Sequence, residues 1–101
     1  MLVAFSVAPS GTGSVDGSVH DAVAAAVRIV RDSGLPNHTD SMFTTIEGEW
    51  DEVFAVIKAA TDAVGAFGSR VSLVLKADIR PGHTGELTGK LQRLEAVLDQ
   101  D

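Results

Sequence analysis

The sequence predicts an α+β fold in which a small antiparallel sheet packs against helices. Strand-like and helix-like segments alternate along the chain, and apolar residues in the helix-like segments recur every three or four positions. Two strand-like segments in the middle follow each other without a helix between them, which favours antiparallel pairing. With 101 residues, the chain has room for one modest core, so we expect a single domain over residues 1–101.

The first predicted strand is the apolar run from Leu2 to Ala8, which is rich in β-branched and aromatic residues and is closed by Pro9. An amphipathic helix follows, because apolar residues recur at helical spacing between Val19 and Val30. Gly34 is expected to end this helix in a left-handed conformation. The candidates for capping its start are Ser14, Asp16 and Ser18.

Two strands are predicted next, from Pro36 to Met42 and from Phe43 to Gly48, with a tight turn near Asp40 and Ser41. A second amphipathic helix is predicted from Trp50 to Val64 and is expected to end at one of the glycines at 65 and 68.

The last predicted strand begins at Val71 and continues to Ile79 and Arg80, because its apolar and polar residues alternate with a period of two. The leucines at 87, 91, 94 and 98 then predict a C-terminal helix. The order of elements predicts a ferredoxin-like βαββαβ fold: a four-stranded antiparallel sheet with two helices on one face, plus a C-terminal helix. The other face needs a cover, so we expect the tail helix, a second subunit, or both to lie on it.

Composition excludes several classes of protein. There is no cysteine, which excludes disulfides, thiolate catalysis and zinc-thiolate sites. Eight basic and 14 acidic residues give a formal charge of −6, which disfavours nucleic acid as a partner. No apolar run reaches the roughly 20 residues of a membrane span and the start of the chain does not resemble a signal peptide, so we expect a cytoplasmic protein without membrane contact.

The most informative segment runs from Thr44 to Val53, where a strand ends in acid, glycine and tryptophan and a helix begins at once. Glu47 is therefore expected at a strand-to-helix corner, where a carboxylate can hold an amine-bearing ligand. An equally supported interpretation is that Glu47 and Glu49 only complement the dipole of the second helix. By strand parity, Thr44 should face the helices with Ile46, while Glu47 faces the opposite side.

Other candidate sites are weaker. The stretch from Ser10 to Gly13 could offer backbone N–H groups to an anion, but a plain strand-to-helix connection is the stronger interpretation because no P-loop lysine follows. The histidines at 20, 38 and 83 lack metal-ligand spacing, so no metal site is expected. No arrangement resembles a nucleophile elbow or a catalytic triad, and we do not predict an enzyme.

Several short segments of the chain together carry a resemblance to a known family. They are Phe5 to Pro9 with Gly11, Ser33 to Leu35, Met42 with Thr44, Ile46 to Val53, Arg70 with Val71, and Lys76 to Arg80. With these segments the chain resembles, from about Phe5 to Leu98, the small thiamine-binding proteins of the MTH1187/YkoF-like group. The resemblance implies a ferredoxin-like fold, assembly into dimers or tetramers, and binding of thiamine or its hydroxymethylpyrimidine portion without a cofactor.

For such a ligand the resemblance implies a pocket with a carboxylate, hydroxyl groups and a flat apolar wall. Glu47 is the candidate acceptor of the ligand amine. The sequence departs from the family pattern at Phe43, where relatives usually have glycine, at Asn37, where many have an aromatic residue, and at Thr61, where many have histidine. The further candidate ligand-binding residues are Thr44 or Thr45, Ser6 or Ser10, Phe43 or Trp50, and Asn37.

Three functions remain open at this point. The leading hypothesis is a non-catalytic homo-oligomer that binds thiamine or a related pyrimidine. The alternative is a structural or regulatory oligomer that docks a partner protein through its sheet face. A thiamine-salvage enzyme is disfavoured, because no nucleophile, metal set or acid/base pair emerges from the residues.

Overall fold

The structure is a computed structural model that describes residues 1–11 and 19–100. The order of its elements is the predicted one, while the candidate capping residues Ser14, Asp16 and Ser18 lie outside the described residues. No helix in this described part is long and apolar enough to cross a bilayer. The elements are β1 (Leu2–Ser10), α1 (Val19–Asp32), β2 (Asn37–Thr39), β3 (Thr44–Glu47), α2 (Trp50–Val64), a short 3₁₀ turn (Gly65–Phe67), β4 (Arg70–Asp78) and α3 (Glu86–Leu98).

The strands form one four-stranded antiparallel sheet in the order β2-β3-β1-β4. The β1 strand pairs with β4 along its whole length, from Leu2 opposite Asp78 to Ser10 opposite Arg70. It pairs with β3 only from Leu2 to Phe5. This is the predicted ferredoxin-like topology, and it leaves β2 and β4 as the two edges of the sheet.

The bounds of β1 and of the two hairpin strands differ from the prediction for physical reasons. The β1 strand continues through Pro9 to Ser10, because β3 does not reach this part of β1 and a proline is tolerated where one side of a strand is unpaired. The hairpin strands are shorter than predicted because the turn takes four residues, 40–43. There the Asp40 carboxylate accepts N–H groups from Met42 and Phe43, each at 2.8 Å.

The core lies between the sheet and helices α1 and α2. Alternate residues of β1 point into it, and Ile46 of β3 joins them with none of its surface exposed. Gly34 ends the turn after α1 with φ of 78°, as predicted. The core side chains are Val3, Phe5, Val7, Ala22, Ala26, Val30, Ile46, Val53, Ile57, Ala60 and Val64.

The tail helix α3 covers only one end of the opposite face, which we call the open face. Its first turn contacts β3, and Lys90 forms an ion pair with Asp78 of β4 at 2.6 Å. From Leu91 onward every residue of the helix is exposed, including Leu94 and Leu98. The expected cover of the open face by the tail helix is therefore partial.

Candidate functional site

Glu47, the last residue of β3, is only 7% exposed and its carboxylate is already engaged. One oxygen, Oε2, accepts the backbone N–H of Glu86 at 2.8 Å. The other, Oε1, accepts the backbone N–H of Leu87 at 3.1 Å. Both donors belong to the first turn of α3, so the carboxylate of a strand caps a helix that begins 39 residues later in the chain.

The reason for this contact is the residue that precedes α3. The N-cap position is Gly85, which has φ of 69° and no side chain that could accept a hydrogen bond. The first N–H groups of any helix lack partners within the helix, and the positive end of its dipole favours an anion. Glu47 supplies the acceptor and the charge. Glu47 was expected to complement the dipole of α2, but its carboxylate instead binds the first turn of α3.

Glu49, by contrast, does belong to the start of α2, where it occupies the N-cap position. Its backbone N–H donates to the Glu52 carboxylate at 3.1 Å, as in a capping box. Two neighbouring acidic residues thus serve two different helices.

A second carboxylate, that of Glu86, lies buried at the start of α3. Arg93 donates to its Oε2 at 2.6 Å, and His83 lies 3.8 Å from Oε1. The hydrogen bond from Arg93 holds the pKa of Glu86 below its ordinary value, against the opposing effect of desolvation. The first turn of α3 is thus stabilised by Glu47 from the sheet and by Arg93 from its own helix.

On the core side of the sheet, a hollow of about 260 Å³ lies between α1, β1 and the turn from β2 to β3; we call it the helix-side hollow. Its lining includes Phe43, Thr44 and Ser6 among the predicted ligand residues. The hydroxyls of Thr44 and Thr39 share a hydrogen bond at 3.2 Å. The carboxylate of Asp40 adds a negative charge to the lining, and the hydrogen bonds from the amides of Phe43 and Met42 lower its pKa.

The entrance of the helix-side hollow is apolar. Met42 is 72% exposed, and Val19 and Val23 of α1 are also exposed. Large exposed apolar side chains around a concave site are typical of ligand or partner contacts.

A larger cleft of about 490 Å³ separates α3 from the open face; we call it the tail-helix cleft. Asn37 and Thr45, two other predicted ligand residues, belong to its lining. Its apolar walls come from the leucines at 2, 87 and 91, and its other polar groups come from His38, Glu86, Thr88 and Lys90. Its shape follows from α3 being held to the sheet only near the first half of the helix.

The remaining predicted residues lie apart from both of these sites. Glu47 borders a hollow of about 220 Å³ next to Glu49 and the segment 83–85. Trp50 is 55% exposed, packs on Phe54 with ring centroids 4.6 Å apart, and borders another hollow beside Arg80. Ser10 is exposed at the end of β1, opposite Arg70.

The structure therefore divides the predicted site. Thr44 lies with Phe43 at the helix-side hollow, whereas Thr45 and Glu47 belong to the open face, as the strand parity predicted. Thr39 and Asp40 also line the helix-side hollow and were not among the predicted ligand residues, although the predicted turn near Asp40 was a signal for their position. Within residues 1–11 and 19–100, no three His, Asp or Glu side chains come together in a way that could hold a metal ion.

Fold and hollows together define a small ferredoxin-like α+β domain with sites of small-ligand size. A sequence profile described as thiamine-binding protein matches residues 3–95, and the chain belongs to this family.

Relatives and solved structures agree with that assignment. UPF0045 protein Mb1933 of Mycobacterium bovis is 52% identical over 99 residues, which cover 97% of this chain and 94% of that protein. The crystal structure of MJ1052 from Methanocaldococcus jannascii matches with a TM-score of 0.80 at 29% identity, covering 93% of this chain and 94% of the other. TM0486 of Thermotoga maritima, a candidate thiamine biosynthesis/salvage protein, matches with a TM-score of 0.71 at 26% identity, covering 90% of this chain and 96% of the other.

Proposed function

We propose that the protein binds thiamine, or the hydroxymethylpyrimidine portion of thiamine, in the cytoplasm as a homo-oligomer and without transforming it. The observation that carries this proposal is the helix-side hollow, where an aromatic ring, two hydroxyls and a carboxylate meet in a space of about 260 Å³. Membership of a family described as thiamine-binding supports the same ligand class.

The chemistry of the hollow suits an aminopyrimidine. Such a ring has an amine that donates hydrogen bonds, ring nitrogens that accept them, and two flat faces. Thr44 and Thr39 can each donate or accept through their hydroxyls, and Phe43 offers a flat apolar wall. Only Oδ1 of Asp40 accepts the turn amides, so its second oxygen has capacity for an amine or a cation.

Glu47 is the alternative acceptor of the ligand amine in this proposal. It already accepts two N–H groups, but a carboxylate has about four lone-pair sites, and a hollow of about 220 Å³ lies beside it. The two versions of the proposal differ in which face of the sheet holds the ligand. Substitutions of Thr44 and Glu47, which lie on opposite faces of β3, can distinguish them.

Calorimetry with thiamine, hydroxymethylpyrimidine and thiamine phosphates tests the proposal. We expect Thr44→Val to weaken binding about tenfold through loss of a hydrogen bond, while the matched control Thr45→Val, on the opposite face, leaves it unchanged. Strong loss of affinity in Glu47→Gln with normal affinity in Thr44→Val would favour the Glu47 version. The absence of heat and of a thermal shift at millimolar concentration for all these ligands would rule out the proposal.

A second function is favoured by the exposed apolar side chains of the open face and α3. Leu91 and Leu94 are 61% and 52% exposed, and Val74 of β4 is 57% exposed. A structural or regulatory oligomer that docks a partner protein through this face would use them. It predicts that polar substitutions of its exposed apolar residues, such as Val74 and Leu91, remove activity in cells while Thr44→Val and Glu47→Gln do not.

A further inference from the structure

The hollow that Trp50 borders beside Arg80 has a volume of about 210 Å³ and lies at the corner where β3 leads into α2; we call it the corner hollow. Trp50 and Ile79 supply apolar walls, and Arg80 and His83 border it with basic groups. The proposed function uses neither of these two basic side chains. The corner hollow is therefore a candidate site for an anionic group.

The turn after β4 brings Arg80 and His83 to the same hollow. The backbone N–H of His83 donates to the carbonyl of Arg80 at 3.2 Å, and Gly82 has φ of 80°. A type II turn favours proline at its second position and a left-handed glycine at its third, and Pro81 and Gly82 occupy these positions. The two basic residues thus stand at the first and fourth positions of a turn that the sequence itself favours.

The guanidinium of Arg80 is unpaired in the described part of the chain. No hydrogen bond or salt bridge within residues 1–11 and 19–100 engages it. Lys58 and Lys90 also border hollows, but each is already paired with an aspartate. A guanidinium can bind a phosphate through two parallel N–H groups, so an unpaired arginine at the edge of a hollow suits this anion.

His83 offers a further donor. Its Nδ1 lies 3.8 Å from Oε1 of Glu86, which is too far for a hydrogen bond. Glu86 is instead satisfied by Arg93 at 2.6 Å, and this hydrogen bond lowers the pKa of Glu86 more than the charges of Arg80 and His83 do. The imidazole of His83 is therefore able to donate to a ligand.

The corner hollow adjoins the hollow of about 220 Å³ beside Glu47. Both are lined by Met1, Gly48, Glu49 and His83. Each alone is smaller than the roughly 300 Å³ at which pockets for small molecules usually begin, so a ligand that extends through both is favoured over one that fills either. An amine at Glu47 and an anion at Arg80 then belong to one molecule.

We propose that Arg80 and His83 bind the phosphate of a phosphorylated aminopyrimidine whose amine is held by Glu47, so that the site prefers the phosphate ester to the free alcohol. This inference rests on the Glu47 version of the proposed function and names its ligand class. A phosphate monoester carries about −1.5 to −2 charges at neutral pH, and Arg80 supplies the opposite charge. Among the described residues, the only acidic group that borders the corner hollow is Glu49, and the capping box holds it at the start of α2.

The helix-side hollow offers the opposite environment. Asp40 gives it a negative charge, and its lining within the described residues includes no lysine, arginine or histidine. A phosphate is repelled by such a surface. A preference for the phosphate ester therefore also distinguishes the Glu47 version of the proposed function from the version that uses Thr44.

Calorimetry with hydroxymethylpyrimidine and its phosphate monoester at low ionic strength tests the inference. The wild-type chain should bind the phosphate ester at least about tenfold more tightly than the alcohol. Arg80→Gln should remove this preference and leave the affinity for the alcohol unchanged. The matched control is Arg70→Gln at the other end of β4, which removes the same charge from an equally exposed position and should keep the preference. Circular dichroism checks that both variants fold.

The fluorescence of Trp50, the single tryptophan of the chain, reports on occupation of the corner hollow. It should change more with the phosphate ester than with the alcohol, and inorganic phosphate should reverse the additional change. Equal affinity of the wild type for ester and alcohol, or an equal loss of preference in Arg70→Gln, would overturn the inference and leave the proposed function intact. Binding of neither compound would overturn both.

Discussion

Neighbouring residues of β3 enter two environments that are stabilised in different ways. Ile46 points into the core and has none of its surface exposed. Glu47, the next residue, points to the open face, where its carboxylate holds the N–H groups of Glu86 and Leu87. Burial of apolar surface needs no particular partner, whereas a buried carboxylate needs specific donors. Ile46 can therefore be buried against any apolar side chain of suitable size, whereas Glu47 needs hydrogen-bond donors at fixed positions.

The largest effect is expected on the core face. Ile46→Ala should lower the free energy of unfolding by about 2–5 kcal/mol, because it removes three buried carbons from a closely packed core and leaves a cavity. Urea denaturation followed by circular dichroism measures the change. Leu94→Ala is the control, because Leu94 is exposed on α3, and it should lower the free energy of unfolding by about 0.5 kcal/mol or less. Equal losses in the two variants would contradict the distinction between the two faces.

A smaller effect is expected when Glu47 is changed. Glu47→Ala leaves two helix N–H groups without their acceptor and should cost about 1–3 kcal/mol, while Glu47→Gln should cost less because its amide oxygen still accepts one of them. Hydrogen exchange of the Glu86 and Leu87 amides should become faster in both variants. Unchanged protection of these two amides in Glu47→Ala would show that the carboxylate does not hold the helix.

The core face was predictable from the sequence, because its signals are local. The apolar run of β1 and the helical spacing in α1 and α2 indicated which elements form the core, although Val19 and Trp50 of the predicted apolar stripes are exposed. Period two placed Thr44 and Glu47 on opposite faces. Membership of the thiamine-binding family was also predictable, from the motifs between Phe5 and Arg80.

The contact between Glu47 and α3 was not predictable in this way. It joins residues 39 and 40 positions apart, and its cause is a glycine at the N-cap, which carries no signal for where the acceptor comes from. The hairpin strands were predicted too long for a related reason. The carboxylate of Asp40 accepts the N–H groups of Met42 and Phe43, and these residues therefore form a turn and do not extend the strands. Both errors arise where a carboxylate side chain, and not the backbone, accepts N–H groups of the main chain.

The smallest of the three effects is expected from acid, and it should act on the tail helix before the core. The hydrogen bond from Arg93 lowers the pKa of Glu86, and an ion pair with Lys90 lowers the pKa of Asp78. Because the folded pKa lies below the unfolded one in both cases, this stabilisation is fully present above the unfolded values of about 4 and is lost as the pH falls through the folded values.

Acidification from about pH 5 to pH 3 should therefore loosen α3 before the core. Protonation of Asp78 weakens its ion pair with Lys90, which joins α3 to β4, and protonation of Glu86 weakens its ion pair with Arg93 within α3. Amide NMR signals of residues 86–98 should shift with pH while those of Val3 and Ile46 stay constant. In Arg93→Gln, Glu86 loses the charged partner that lowers its pKa, so the pH dependence of α3 should shrink. If Arg93→Gln retains the full acid response, or if core and tail signals move together, the two faces do not respond separately to protonation.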